Sequence, residues 1–169
     1  TWLPEFPAKP WPMTLRQLLG HQAGVRHYRG EAESTVHYAT QRQALDRFAD
    51  DPLLHEPGTK FFYSTYGYSL VAAAVEAAEE RAFPAVVARI AARAKAPTLQ
   101  DDDLRRLIPH RAQGYVRRSE KLENSALMDS SYKLGGGGLC SSAPDLARLG
   151  LALLDGRLLG ADALLTMTT

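Results

Sequence analysis

Cysteine is nearly missing from this 169-residue chain, in which Cys140 stands alone. A lone thiol excludes a disulfide framework and a cysteine-rich zinc site, and it leaves the compartment open. An excess of either charge is missing too. Twenty Lys and Arg face nineteen Asp and Glu, a net charge of +1. So balanced a sum gives no global field for gripping a phosphate backbone, and nucleic acid is not an expected partner. Long apolar runs are also absent. The longest, Tyr68 to Val75, is interrupted by Ser69 and stopped by Glu76, far short of the roughly 20 residues that a membrane-spanning helix needs. The opening residues Thr1-Trp2-Leu3-Pro4-Glu5 show no basic stretch followed by an apolar one, the pattern of a secretory leader. What is present is a globular balance, 45% hydrophobic and 23% charged residues, in a length that suits about one domain with a real core.

The pattern along the chain is mostly helical. Pro4, Pro7, Pro10 and Pro12 make residues 1–12 an extended lead-in. Thr14 is a predicted N-cap for a short helix from Leu15 to about Gly20, with Leu15, Leu18 and Leu19 on one face. Residues 25–37 read as loop, and Gln41 to Asp50 as helix, with Ala44, Leu45 and Phe48 at helical spacing. Glu56-Pro57-Gly58-Thr59 is a turn signal. Ser64 or Thr65 then caps a helix to about Glu80, with Leu70, Val71, Ala74, Val75 and Ala78 as its core stripe. Further helices are expected at 85–96, from Asp101 to before Pro109, from a Ser142-to-Asp145 capping box to Asp155 with Leu146, Leu149, Leu153 and Leu154 as its buried face, and after Asp162. Gln113 to Arg118 and Lys121 to Leu127 suggest a hairpin, and Gly135 to Gly138 is expected to be the most flexible point.

Several chemistries fail on residue type. The five histidines offer no i, i+4 pair on a helix and no His-Glu-x-x-His, so they read as surface or satisfied core residues and no metal or other cofactor is expected. No Gly-Lys pair exists to make a Walker loop, and Cys140 stands where a dinucleotide fingerprint needs its third glycine. The nearest approach to a nucleophile elbow, Gly67-Tyr68-Ser69-Leu70-Val71, lacks the final glycine and lies inside a predicted helix. Tyr63 is more informative. One step before a helix cap, a phenol faces unpaired N–H groups and the positive end of a macrodipole, where a tyrosinate base could be made from a group that is free near ~10. A packing aromatic fits the same position.

Three blocks turn this into a family reading. Met13-Thr14-Leu15-Arg16-Gln17-Leu18-Leu19-Gly20-His21-Gln22-Ala23-Gly24-Val25 resembles the Thr-hydrophobic-Arg-x-Leu-Leu-x-His-x-x-Gly helix of the serine β-lactamase-related family, which includes class C β-lactamases, D-amino-acid peptidases and esterases. Glu56 to Tyr68 is similar to the block holding that family's Tyr-x-Asn motif, and Gly135 to Gly150 to its Gly-Gly-x-x-Ser-Thr-x-x-Asp segment. Order and spacing agree, and the resemblance covers residues 3–169. Tyr63-Ser64-Thr65, with Ser131-Tyr132-Lys133 before the glycines, looks nearest to the mitochondrial β-lactamase-like subgroup.

The resemblance implies a mainly α helical lobe of the α/β β-lactamase/transpeptidase-like fold, with a few short strands. It implies acyl-enzyme hydrolysis of an amide, peptide or ester, with a small-molecule or peptide substrate. Tyr63 takes the proton-shuttle role. Thr65 takes the substrate-orienting place of the usual Asn, with one hydroxyl where Asn has a donor and an acceptor. The single Ser-x-x-Lys, Ser130 to Lys133, follows the tyrosine motif instead of preceding it, and it reads as a decoy whose helix the glycines deny. A relocated Ser130/Lys133 nucleophile is a weaker alternative. No Lys-Thr/Ser-Gly or His-x-Gly triad occurs. Residues 1–169 are therefore expected to be a partial domain, lacking the nucleophile segment and the closing strands and inactive alone, with self-association through the apolar surface left uncovered. The alternative is a non-catalytic helical assembly or partner-binding module.

Overall fold

A computed structural model describes residues 2–30 and 35–168. Thr14 caps helix α1 (Leu15–Leu19): its hydroxyl accepts the Gln17 N–H, and the Gln17 side chain accepts the Thr14 N–H, closing a capping box. Only Leu18 of the predicted leucine face is buried; Leu15 and Leu19 are exposed. The expected 41–50 helix is one α-turn, α2 (Gln41–Ala44), tightened into a 3-10 turn over Leu45–Arg47. That tightening lays the Phe48 ring on Tyr66, 4.5 Å away and 14° from parallel, a pairing that contributes about 1 kcal/mol beyond burial.

The long helix α3 (Thr65–Glu79) starts at Ser64, whose hydroxyl accepts the Gly67 N–H, and ends at Glu80 in the left-handed region. It is buried on more than the predicted stripe, because Ala72 and Ala73 are enclosed as well while Ala78 is exposed. Helix α4 (Phe83–Ala94) follows with Pro84 in its first turn. No helix forms at 101–108. Residues Gln100–Asp101 instead form β1, and the Asp101, Asp102 and Asp103 carboxylates are taken by Arg106, Arg111 and Arg105. Asp103 also accepts the Arg105 backbone N–H, the local competition that makes such residues poor helix interiors.

The hairpin is present as β2 (Tyr115–Arg118) and β3 (Lys121–Asn124), joined through Ser119 at φ 54°. A 3-10 turn at Ser131–Lys133 leads into α5 (Leu134–Gly137), then β4 (Leu139–Cys140), which pairs antiparallel with β1. Helices α6 (Ala143–Leu154) and α7 (Ala161–Thr168) complete the described chain. The predicted capping box at α6 does not close: Ser142 makes no side-chain cap, and the buried Asp145 turns to the Thr98 N–H and hydroxyl instead.

The glycine run is the clearest departure from expectation. Gly135 to Gly137 close the short turn of α5, and Gly135 and Gly136 lie wedged against α3. A Cβ at Gly135 would lie 2.6 Å from the Tyr68 carbonyl, and one at Gly136 2.6 Å from Thr65 Cγ2. The missing side chains are what let α5 lie directly on α3.

Two cores result. The first gathers Leu18, Val25, Leu45, Phe48, Tyr66 and Tyr132 around the start of α3. The second joins α4 to α6 through Val87, Ala91, Leu99 and Ala152. The proline-rich lead-in arches over α1 and α3, bounding a cleft of about 770 Å³ lined by Trp2, Phe6, Trp11, Met13 and Leu70. Among the described residues no helix is long and apolar enough to cross a membrane.

Candidate active site

The site is built where two irregular segments meet the N-terminus of α3. The loop after α1 runs beside residues 54–62, tied by Leu54 N–H to Gly24 O, Gly58 N–H to Gln22 O and Phe62 N–H to His21 O, at 2.7, 2.8 and 2.8 Å. Gly24 permits that approach: at φ 73°, a Cβ there would stand 2.4 Å from the His55 carbonyl. The predicted Glu56-to-Thr59 turn closes with Thr59 N–H on Glu56 O and Gly58 at φ 90°. Phe61, Phe62 and Tyr63 are thereby delivered to the mouth of α3.

Tyr63 is open, with 55% of its surface exposed. Its ring stands between two imidazoles, 4.6 Å from His21 and 5.4 Å from His27. Behind it Ser64 is buried; its hydroxyl donates to Arg26 O at 2.7 Å while accepting the Gly67 N–H. The N–H groups of Ser64 and Thr65 donate to Nδ1 of His21 and His27, both at 3.2 Å. Tyr68, one turn along α3, donates its hydroxyl to Leu19 O and sets its ring 5.1 Å from His21.

Thr65, the other residue singled out from the sequence, lies beneath this surface. It is buried, and its hydroxyl engages the Tyr28 phenol. Tyr28 sits edge-on to Tyr66 and Tyr132, at 5.2 and 5.8 Å, in an aromatic floor that Arg26 and Arg47 cover from the side. Burial pushes the Tyr28 phenol above the usual tyrosine range and holds His21 below the usual histidine range. Both groups are therefore neutral at pH 7.

Ser130 and Lys133 do not join Tyr63 in any contact the structure shows. Ser130 is buried, its carbonyl accepting the Lys133 N–H, and the Lys133 ammonium rests 3.7 Å from Met128 Sδ. Burial lowers the Lys133 amine from its ordinary value. Ser130 stands outside the 3-10 turn of Ser131–Lys133, and Lys133 at φ -134° separates that turn from α5, so no continuous helix holds Ser130 and Lys133 on one face. Ser69 is enclosed in α3 and donates to Tyr132 O, far from any elbow geometry. Sequence reasoning took His21 and His27 for surface or satisfied core residues, and satisfied they are, but it did not bring them to Tyr63. A hint was available, because His21 sits in the first family-like block and Tyr63 in the second.

The Beta-lactamase family model matches residues 1–169. The chain belongs to the beta-lactamase family. Over 132 residues this beta-lactamase relative is 34% identical to the serine beta-lactamase-like protein LACTB, mitochondrial, of Mus musculus, covering 78% of this chain and 24% of that protein. It thus spans about a quarter of the length of the curated relative. Among solved structures it is similar to a D-stereospecific amidohydrolase from Streptomyces sp., with TM-score 0.81 and 24% identity over 99% of this chain and 55% of the other. It is similar also to a penicillin binding protein from Bacillus halodurans, with TM-score 0.78 and 24% identity over 99% and 54%. The family that the three blocks resemble is thus the family of the chain. The helices and short strands are part of the β-lactamase/transpeptidase-like fold, and the chain is a member of a serine hydrolase family.

Proposed function

We propose that this chain is the helical wall of an active site that hydrolyses an amide, peptide or ester bond through an acyl-enzyme, with Tyr63 as its proton carrier. The single observation carrying this reading is the exposed Tyr63 phenol at the mouth of α3 in a chain of the beta-lactamase family; the resemblance of residues 56–68 to the block with that family's Tyr-x-Asn motif supports it. In the proposed cycle Tyr63 reacts as its phenolate: its oxygen takes the proton of an attacking serine hydroxyl, becoming the neutral phenol, as the serine oxygen bonds to the substrate carbonyl carbon. It returns that proton to the leaving nitrogen or oxygen as the C–N or C–O bond breaks. Water then repeats the exchange on the ester and frees the serine. Thr65, buried behind Tyr63, contributes to substrate orientation through the Tyr28 phenol it engages. The attacking serine and the carbonyl-polarising strand come from residues outside 1–169, and the chain alone is inactive.

The test uses the full-length protein with nitrocefin, a p-nitrophenyl ester and a D-amino-acid amide. Tyr63→Phe lowers kcat by about 10²–10⁴, the usual worth of a positioned proton carrier, and residues 1–169 alone show no turnover above that variant. Wild-type kcat in Tyr63→Phe refutes the reading. A second reading, a module for self-assembly, is favoured by the exposed Leu146, Leu151 and Leu154 on α6 and Leu165 and Met167 on α7. Size-exclusion chromatography of the full-length protein separates it from the first, since an oligomer that no penicillin or fluorophosphonate probe labels supports assembly alone.

A further inference from the structure

His21 holds Tyr63 from both sides. Its carbonyl accepts the N–H of Phe62 at 2.8 Å, and its ring Nδ1 accepts the N–H of Ser64 at 3.2 Å. The residues before and after the tyrosine are thus tied to one histidine, while the ring of that histidine lies 4.6 Å from the phenol ring. His27 repeats the arrangement one residue further, with Nδ1 on the Thr65 N–H at 3.2 Å and its ring edge-on to Tyr63 at 5.4 Å. A backbone N–H can only donate, so both Nδ1 atoms must be acceptors. Each imidazole is then neutral, with its proton on Nε2. The convergence follows from the strand-like ties between 22–24 and 54–58 and from the left-handed conformation of His21 at φ 56°.

We propose that His21 and His27 are positioning residues for Tyr63: two neutral imidazoles that clamp the peptide units of Ser64 and Thr65 and fix the direction of the phenol. The inference rests on the reading of Tyr63 as proton carrier, and it adds two residues to which the family resemblance gave no role. The clamp satisfies the first N–H groups of α3, which otherwise go unpaired, without placing a side chain between Tyr63 and solvent. Protonation of either ring puts a donor against a donor and releases the clamp. The titratable groups whose rings face His21 are Tyr63 and Tyr68, from the loop and from α3. Those facing His27 are Tyr28 and Tyr63.

The experiment compares Leu and Asn at each position in the full-length protein. Asn places Oδ1 where Nδ1 stood and tolerates the left-handed backbone at position 21; Leu offers no acceptor. His21→Leu lowers kcat about tenfold or more with KM within about twofold, as a misaimed reacting group does, and His21→Asn restores kcat to within about threefold of wild type. The pair at His27 behaves alike. Imidazole ¹⁵N shifts of the wild-type protein at neutral pH report both rings as Nε2–H tautomers, a readout independent of whether the Leu variants fold. Wild-type kcat in the Leu variants, Asn variants no better than Leu, or a charged or Nδ1–H ring overturns the inference while Tyr63→Phe keeps its lowered kcat. Wild-type turnover in Tyr63→Phe instead removes the proton-carrier reading and the positioning role with it.

Discussion

Replacing Gly136 by alanine probes the closeness on which the site depends. The added Cβ would lie 2.6 Å from Thr65 Cγ2 and 3.0 Å from the Thr65 carbonyl, against about 3.5–4.0 Å for an ordinary carbon contact. Thr65 cannot yield by turning its side chain, because it is β-branched, buried and in the first turn of α3. The two helices must therefore part by about an ångström, an overpacking that costs roughly 1–3 kcal/mol. Alanine regains up to about 1 kcal/mol of helix propensity over glycine. The net loss is about 1–2 kcal/mol, which at about 2–4 °C per kcal/mol for a domain of this size lowers Tm by roughly 5 °C. Gly150, inside α6 with nothing within 4 Å of its Cβ position, is the control. There the same exchange only gains propensity, about 0.5–1 kcal/mol, and Tm rises by about 2 °C. Thermal unfolding followed by circular dichroism reads both. A Gly136→Ala protein melting at or above wild type refutes the packing argument, as do two variants that shift in the same direction.

Ser64→Ala removes the cap of α3 and the hydroxyl that donates to Arg26 O; urea unfolding is expected to show about 1–2 kcal/mol less stability. Arg26→Met removes the nearer of the two guanidiniums on Asp51, leaving Arg29 at 4.0 Å, and empties the bonds to the His27 and Arg47 carbonyls. Urea unfolding shows about 2–3 kcal/mol less stability. Stability also depends on pH in two windows. His21 has its folded value lowered below 6.5 by burial, so the unfolded chain takes up the proton first and stability falls as pH drops through 6.5, a step that His21→Asn removes. Asp103 is held at about 2 by its hydrogen bonds to Arg105, against 3.8 when free. Its contribution is complete above 3.8 and is lost as pH falls from there to about 2, a loss that Arg105→Gln weakens in an acid titration.

Local signals carried the reading where a side chain acts on its own neighbours. Thr14, Ser64, Gly58 and the β2–β3 hairpin are legible because caps, turns and alternation are short-range. Of the candidate site, the position of Tyr63 one residue before the cap of α3 was legible, itself a local fact. What failed depended on distant partners. Asp145 belongs to Thr98, across 47 residues, so its capping box never closes. The leucines of α6 follow a helical period, yet Leu146 and Leu154 stay exposed, since a period says which face is apolar and not whether something covers it. The glycine run is spaced for freedom and used for contact, which only the position of α3 reveals. His21 and His27 escaped for the same reason, their partners lying 43 and 38 residues away.

The β2–β3 hairpin offers a practical handle. It is a two-stranded unit whose residues are nearly all exposed and whose strands, among the described residues, pair only with each other. Such a ribbon is marginal by itself and opens to solvent at little cost. Its tip at Ser119-Glu120 is accordingly where a protease nicks first and where a fluorophore or affinity tag can be inserted without touching α3. A reporter placed there would follow the protein through purification and labelling while leaving the tyrosine and its two imidazoles undisturbed.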